Sequence, residues 1–147
     1  MCDNEIVERN KELTLKMMEA WGKGDFETYK ALLAPDFRFH YPSNNPNPMS
    51  VEDLIDFAKM YRKAIADISW SLEEIIAAED KIVMRFIERG THVGEFMGVP
   101  ATDNKYETSG ILISRIENGK VAEQREDFDM LGLMQQLGME LKPKEEK

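Results

Sequence analysis

The feature that most constrains the fold of this chain is an apolar/polar alternation that runs, with few interruptions, from residue 67 to residue 128. A period of two is typical of β-strands with one buried face. Four segments carry it, namely ISWSLEEIIAA, KIVMRFIERGTH, KYETSGILISRI and KVAEQREDF, separated by ED, VGEFMGVPATDN and ENG. Because parallel strands need a long crossover between them, these short connections predict an antiparallel sheet.

Three helices are predicted before this sheet. Apolar side chains recur at helical spacing over residues 4–22, and Asp25 is placed to cap a second helix, DFETYKALLA, which Pro35 is expected to end. Ser50 and Asp53 have the spacing of a capping box at the start of the third helix. Between the second and third helices, PDFRFHY alternates with period two and predicts a strand.

The order of these elements predicts an α+β fold: a cone-shaped, curved antiparallel sheet packed on three N-terminal helices. MLGLMQQLG predicts a short C-terminal helix, and MELKPKEEK a loose charged tail. We expect one domain over residues 1–138, followed by the tail over residues 139–147. The opening of such a cone is the expected place for a ligand pocket.

Composition excludes several classes of function. The 147 residues carry a formal net charge of -9 and no long basic run, so neither nucleic acid nor an anionic membrane is an expected partner. MCDNEIVERN does not resemble a signal peptide and no stretch is apolar enough to span a membrane, so we expect a cytoplasmic protein. Cys2 is the single cysteine, which leaves no disulfide framework and no thiolate metal cluster.

The segment QREDFDML contains three carboxylates that strand parity separates. Glu126 shares a side with Gln124 and Phe128, where burial would raise its pKa and make it a proton acceptor near neutral pH. Asp127 projects to the other side and is expected in solvent, while Asp129 precedes the last helix and is expected to cap it. The spacing is equally compatible with Glu126 as an outer charge paired with an arginine.

The two histidines, His92 and His40, are the other candidate catalytic groups. His92 ends the β-strand face that carries Met84 and Phe86, so it is expected at the rim of the same cavity. His40 lies on the opposite side of its strand from Tyr41. Neither histidine has a neighbour at metal-ligand spacing, so no metal site is predicted. The alternative for each is a hydrogen-bonded structural histidine.

Several other side chains are expected to line the ligand pocket. Met84, Phe86 and Tyr41 are predicted as core or cavity wall. Asn44, in the proline-rich loop PSNNPNP, can reach the mouth of the cone, although loop asparagines also satisfy turns. Neither a phosphate-binding glycine loop nor a serine nucleophile elbow is present in the sequence.

Nearly the whole chain resembles the SnoaL-like polyketide cyclases, a branch of the nuclear transport factor 2-like superfamily with a cone-shaped α+β fold. The matching segments are WGKGDFETYKALLAPDF, GTHVGEFMGVPATDNKY and ISRIENGKVAEQREDFDMLGLMQQLG. The resemblance implies ring closure by intramolecular aldol condensation without a cofactor. It also implies an acid/base Asp on the last strand, assisted by Gln and His on the preceding strand.

The resemblance transfers these roles to particular residues when positions are counted from the shared turn glycine, Gly119. The acid/base position falls on Glu126, and the Gln and His positions fall on Gly110 and Leu112. The carboxylate is thus one methylene longer than in the family, and both assisting positions are non-polar. The implied pocket has one carboxylate, Glu126, and otherwise apolar walls, including Leu112 and Gly110.

Two functions from different classes follow. The first is a cofactor-independent acid/base cyclase, isomerase or lyase that acts on a small, largely apolar carbonyl compound, with Glu126 as base and His92 or His40 as helper. The second is a non-catalytic ligand-binding or dimerisation module that retains the pocket. The fold hosts many functions, so the sequence leaves both open.

A homodimer is the expected assembly. The outer side of the predicted sheet carries four apolar residues among charges: Val83, Ile87, Ile111 and Ile113. An apolar stripe on an otherwise polar face is typical of a subunit interface, and the family resemblance implies the same assembly.

Overall fold

The computed structural model describes residues 3–145, so Cys2 and the last two residues lie outside the described chain. The helices are α1 (Asp3–Lys23), α2 (Phe26–Ala31), α3 (Val51–Ala64) and α4 (Met130–Gln136). The strands are β1 (Leu33–His40), β2 (Ile65–Ala78), β3 (Lys81–His92), β4 (Lys105–Glu117) and β5 (Lys120–Phe128). The predicted α+β order is confirmed, with three helices and a strand before a four-strand meander and a short helix after it.

All five strands form one sheet in the order β1-β5-β4-β3-β2. The pairs β2–β3, β3–β4 and β4–β5 are antiparallel, as the short connections predict. β1 adds to the free edge of β5 in parallel, with Phe39 opposite Gln124. The loop PSNNPNP and helix α3 then carry the chain from this edge to the opposite edge, where β2 begins.

The expectation that Pro35 ends α2 is wrong. The helix ends at Ala31, with Leu32 as its C-cap, and Pro35 lies inside β1. The register of β1 on β5 breaks between Leu33 and Arg38, around this proline. Proline has no backbone N–H to donate, so an edge strand with a pairing break accommodates it.

Polar caps set the starts of three helices. Asp25 Oδ1 accepts a hydrogen bond from Thr28 N at 3.1 Å, and Ser50 Oγ accepts one from Asp53 N at 3.2 Å. Asp129 Oδ1 accepts a hydrogen bond from the backbone N–H of Gly132 at 2.8 Å. Each cap satisfies a backbone donor that the first helical turn leaves free.

The core lies between the helices and the inner face of the sheet. Every second residue of β3 and β4 is buried, in phase with the predicted alternation. One apolar cluster joins α1 and α2 to the sheet around Met17, Tyr29 and Phe37. A second cluster, around Phe96 and Leu133, joins α3 and α4 to the other end of the sheet. In residues 3–145, no helix is both long and apolar enough to cross a membrane.

Candidate functional site

A cavity of about 290 Å³ lies between the helices and the inner face of the sheet. Its walls are mostly aromatic and aliphatic side chains from α1, α2, α3 and the strands. The groups with ionisable or amide side chains among the lining residues are Glu88, Arg62, Gln124, Glu126, Tyr29, Tyr41 and Tyr61. A pocket of this composition suits a largely apolar ligand with a few polar atoms.

Glu126 projects into this cavity from β5, beside Gln124 and Phe128, as strand parity predicts. The side chain is partly buried, and its carboxylate has no hydrogen bond or ion pair with any residue in the described part of the chain. Burial, together with the smaller effects of the negative charges of Glu88 and Asp127, raises the pKa of Glu126 to about 8. Glu126 therefore presents to the cavity a carboxyl group that no described residue engages.

Asp127 and Asp129 have the separate roles that the sequence predicts. Asp127 is exposed on the outer side and accepts hydrogen bonds from Ser43 N at 2.9 Å and from Ser43 Oγ at 2.6 Å. These hydrogen bonds lower the pKa of Asp127. Asp129 caps α4. Of the three carboxylates in QREDFDML, the one that reaches the cavity is Glu126.

The expectation of a single carboxylate in the pocket is wrong, because Glu88 on β3 also lines the cavity. Its Oε2 accepts hydrogen bonds from Tyr61 Oη and Tyr106 Oη, each at 2.7 Å, and the two hydroxyl oxygens are 2.9 Å apart. Burial raises the pKa of Glu88, while the two tyrosine hydrogen bonds and the positive charge of Arg62 oppose that rise. Arg62, another lining residue, is held by hydrogen bonds to the carbonyl oxygens of Trp21 and Gly22.

Gln124 is fixed in the wall by a buried polar network. Its Oε1 accepts a hydrogen bond from Tyr29 Oη at 3.2 Å, and its Nε2 donates to Ser114 Oγ at 3.0 Å and to Met17 Sδ at 3.3 Å. The side chain is only 2% exposed. Gln124 therefore holds α1 and α2 on the sheet at the base of the cavity, and its own polar atoms are engaged.

The expectation that His92 lies at the rim of this cavity is wrong. His92 is fully buried, and its Nδ1 is 3.0 Å from Thr102 Oγ1. It is on the predicted face of β3, but Gly90 lies between it and Glu88, and the side chains of Ile65 and Tyr106 fill the space above that glycine. The cavity is closed at this point, so His92 is not one of its lining residues.

His40 also lies away from the cavity lining. Its Nδ1 is 2.8 Å from the carbonyl oxygen of Asn45, and its Nε2 is 3.5 Å from Glu123 Oε2. These contacts hold the loop after β1 against the outer side of β5. His40 has the contacts of a structural residue.

The expected wall residues fall into two groups. Leu112, Phe128 and Tyr41 line the cavity together with Gln124. Met84, Phe86 and Gly110 lie behind the surface: a Cβ at position 110 would overlap the Phe86 ring, so that glycine makes space for the aromatic layer. Asn44 is exposed on the loop and does not reach the cavity.

Two residues that line the cavity, Glu88 and Tyr61, were not predicted. Glu88 has the same strand parity as Met84 and Phe86, so a carboxylate on a buried face was the available signal. Tyr61 lies on the apolar face of α3, where an aromatic residue is as typical of the hydrophobic core as of a ligand site. Trp70 stacks obliquely on Phe86, with 4.5 Å between ring centroids, and forms the wall opposite the helices.

The SnoaL-like polyketide cyclase family profile matches residues 11–137. The aklanonic acid methyl ester cyclase of Streptomyces peucetius is 25% identical over an alignment of 135 positions, which covers 86% of this chain and 89% of that protein.

Two solved structures share the fold closely. AclR of Streptomyces galilaeus, a suggested hydroxylase, is 30% identical with a TM-score of 0.81, over 90% of this chain and 97% of AclR. IdmH of Streptomyces antibioticus, a suggested polyketide cyclase, is 28% identical with a TM-score of 0.79, over 88% of this chain and 99% of IdmH. With the family profile covering most of the sequence, the chain belongs to the SnoaL-like polyketide cyclase family.

Proposed function

We propose that this protein is a cofactor-independent acid/base cyclase that closes a ring in a small, largely apolar carbonyl compound by intramolecular aldol condensation. The observation that carries the proposal is the Glu126 carboxyl, which projects into an apolar cavity with no protein partner in the described chain. An unpaired carboxyl in such a place destabilises the protein, because its charged form is poorly solvated. A carboxyl with a raised pKa in a ligand cavity is a candidate for acid/base chemistry.

The substrate class follows from the cavity wall. Aromatic side chains on several sides, including Trp21, Trp70, Phe39 and Phe128, favour a flat, apolar ring system. The named activity of the Streptomyces peucetius relative is the cyclisation of aklanonic acid methyl ester. We infer that a polyketide ester or a similar fused-ring ketone is the substrate class of this protein.

Glu126 supplies a proton to the reacting oxygen. A carboxyl with a pKa of about 8 is mainly protonated at pH 7 and carries a readily transferred proton. In an aldol closure, the enolate carbon attacks a carbonyl carbon, the new C–C bond forms, and the carbonyl oxygen takes a proton. A positioned general acid contributes roughly 100-fold to 10,000-fold to such a step.

The test uses aklanonic acid methyl ester and Glu126→Gln, with Glu123→Gln as the matched control on the outer side of the same strand. Wild-type protein is expected to cyclise this ester or a smaller fused-ring analogue, followed by liquid chromatography of the product. Glu126→Gln is expected to lower kcat by at least about 100-fold, and Glu123→Gln to leave kcat unchanged. Equal turnover by wild type and Glu126→Gln refutes the proposed role.

The alternative function is a binding module without chemistry. The observation that favours it is the absence of a histidine from the cavity lining, together with the non-polar residues Gly110 and Leu112 at the family's assisting positions. A ligand that binds equally well to wild type and Glu126→Gln, and that neither protein converts, supports this alternative. Isothermal titration calorimetry and product analysis on the same samples separate the two functions.

We also propose that a second copy of the chain covers the outer face of the sheet. Ile111 and Ile113 are 46% and 36% exposed there, and Ile76, which pairs with Val83, continues the apolar surface on β2. Positive and negative side chains flank this stripe, and some of them form ion pairs, such as Arg89 with Glu107 at 2.6 Å. Mixed charge around an apolar stripe suits a two-fold interface, in which the same surface meets itself.

Sedimentation velocity at tens of micromolar tests this assembly. The protein is expected to sediment as a dimer of about 34 kDa, twice the 17.0 kDa chain mass. Ile111→Lys is expected to shift it to monomer, since a lysine on each subunit would be desolvated at the interface. A monomeric wild-type protein contradicts the proposal.

A further inference from the structure

Glu88 and the two tyrosines that donate hydrogen bonds to it, Tyr61 and Tyr106, form a second polar group of side chains at the cavity. The inference drawn from them rests on the function proposed above. Ring closure needs two proton transfers, one from a carbon next to a carbonyl and one to the oxygen of the carbonyl that is attacked. Glu126, when protonated, performs only the second. A separate group must then accept the proton from carbon, and Glu88 is the other carboxylate among the described lining residues.

The sheet register places the two carboxylates on either side of a cross-strand row that contains two phenylalanine rings. Glu88 lies opposite Thr108, and Glu126 lies opposite Leu112, so the two rows are four residues apart along β4. Four residues of strand span roughly 13 Å. The row between them is Phe86, Gly110 and Phe128, in which the two phenyl rings stack with centroids 6.3 Å apart. Phe128 lines the cavity from this row, and a flat ligand that lies against its ring has one carboxylate at each end.

The hydrogen bonds to Glu88 stabilise its carboxylate form against the opposing effect of burial, and they engage one of its two oxygens. Both tyrosine hydroxyls donate to Oε2, each at 2.7 Å, and such donors stabilise the charged form. Oε1 accepts no hydrogen bond from the described residues and is not sealed from the cavity. The geometry therefore resembles that of an oriented general base, in which one oxygen is anchored and the other points to the substrate.

We propose that Glu88 is the catalytic base of this site, oriented by Tyr61 and Tyr106, and that Glu126 is the acid paired with it. Glu88 Oε1 takes a proton from the carbon next to a carbonyl, the C–H bond breaks, and its electron pair forms the enolate. The enolate carbon bonds to the second carbonyl carbon, and the oxygen of that carbonyl takes the proton of Glu126. One proton then returns from Glu88 to Glu126 through solvent, which restores the starting state.

Deuterium exchange separates the first proton transfer from ring closure. The probe is 2-tetralone, a fused-ring ketone that has exchangeable protons next to its carbonyl and no second carbonyl to attack. Its exchange in D₂O at neutral pD, followed by proton NMR, is expected to be faster with wild-type protein than with buffer alone. Glu88→Gln is expected to lower the protein-catalysed rate at least about 100-fold, and to lower it much more than Glu126→Gln does. Glu73→Gln, on the exposed side of β2, is the control.

The outcomes distinguish failure of this inference from failure of the proposed function. If Glu126→Gln abolishes exchange and Glu88→Gln retains it, Glu126 is both base and acid, and the inference about Glu88 is overturned while the cyclase function stands. If wild type gives no exchange above buffer and no cyclisation, the proposed function fails and the inference fails with it. Glutamine has nearly the same shape as glutamate, and thermal unfolding of each variant verifies the fold.

Tyr106→Phe gives a readout that a purely structural role would not change. Tyr106 is a positioning residue that donates to Glu88 Oε2. Removing this donor destabilises the carboxylate, so the acidic limb of the pH–rate profile for exchange is expected to move to higher pH. An acidic limb at the wild-type pH, in a folded Tyr106→Phe variant, counts against the assignment of Glu88 as base.

Discussion

Gly110 on β4 pairs directly with Phe86 on β3, and the absence of a side chain at position 110 leaves the space that the Phe86 ring occupies. The ring in turn contacts Trp70 and stacks on Phe128. The position at which the family resemblance implies a polar helper therefore carries an aromatic layer instead. This aromatic layer lies between Glu88 and Glu126 in the sheet.

Gly110→Ala is expected to destabilise the fold by about 1–3 kcal/mol, because the new methyl group overlaps a ring that is packed on both sides. Phe86→Leu alone also destabilises the protein, by loss of buried aromatic surface. The double variant Phe86→Leu/Gly110→Ala is expected to cost less than the sum of the two, since the smaller side chain accommodates the methyl group. Urea unfolding of the four proteins measures this coupling, and strictly additive free energies contradict it.

The fold was largely predictable because most of its helices and strands are specified by residues close together in the sequence. Strand alternation and the caps at Asp25, Ser50 and Asp129 each depend on a few neighbouring residues. The parallel pairing of β1 with β5 was not predictable, since it joins segments about 90 residues apart. The position of Pro35 inside β1 follows from that pairing, and so the expected helix end was misplaced.

The site was predictable only where strand parity alone decides it. Parity places Glu126, Gln124 and Phe128 on the inner face, and the structure has them there. It also places His92 on the inner face of β3, yet the cavity ends before that residue because Ile65 and Tyr106 fill the space over Gly90. How far the cavity extends along a strand depends on tertiary packing, and the periodicity of the sequence does not specify that packing.

Gln124→Leu tests the buried polar network at the base of the cavity. The substitution removes the partner of Tyr29 Oη and Ser114 Oγ, so the free energy of unfolding is expected to fall by about 1–3 kcal/mol. Gln135→Leu, an exposed substitution of the same type on α4, is expected to stay within about 0.5 kcal/mol of wild type. Adding Tyr29→Phe and Ser114→Ala to Gln124→Leu removes the unpaired groups and is expected to recover part of the loss. The denaturant midpoints of wild type and these variants measure the predicted changes in the free energy of unfolding.

Asp129→Ala is expected to destabilise the protein by about 1 kcal/mol, because α4 loses the cap at its first turn. The effect is global although α4 is short, since Leu133 and Leu137 from this region are buried in the core. Asp129→Asn keeps an accepting oxygen and is expected to retain most of the stability. Thermal unfolding followed by circular dichroism gives the comparison, and equal losses for the two variants would show that capping is not the cause.

The raised pKa of Glu126 predicts a specific dependence of stability on pH. Its pKa is about 8 in the folded protein against 4.5 for an ordinary glutamate, so between these values the folded state binds more protons than the unfolded state. The free energy of unfolding must then fall as pH rises from 4.5 to 8, by at most about 1.4 kcal/mol per pH unit from this one group. Below pH 4.5 the carboxyl is neutral in both states and carries no penalty, and above pH 8 the penalty is complete and constant.

Glu126→Gln removes this titration, so its stability relative to wild type is expected to increase across the window from pH 4.5 to 8 and to level off above it. Urea unfolding at half-unit pH intervals measures the difference, and Glu73→Gln is the exposed control, for which no such trend is expected. Glu88 titrates in both wild type and Glu126→Gln, so its own contribution largely cancels when the two are subtracted. Parallel stability curves for wild type and Glu126→Gln would mean that Glu126 ionises normally in the folded protein, and the carboxyl would then lack the transferable proton on which its role as the acid depends.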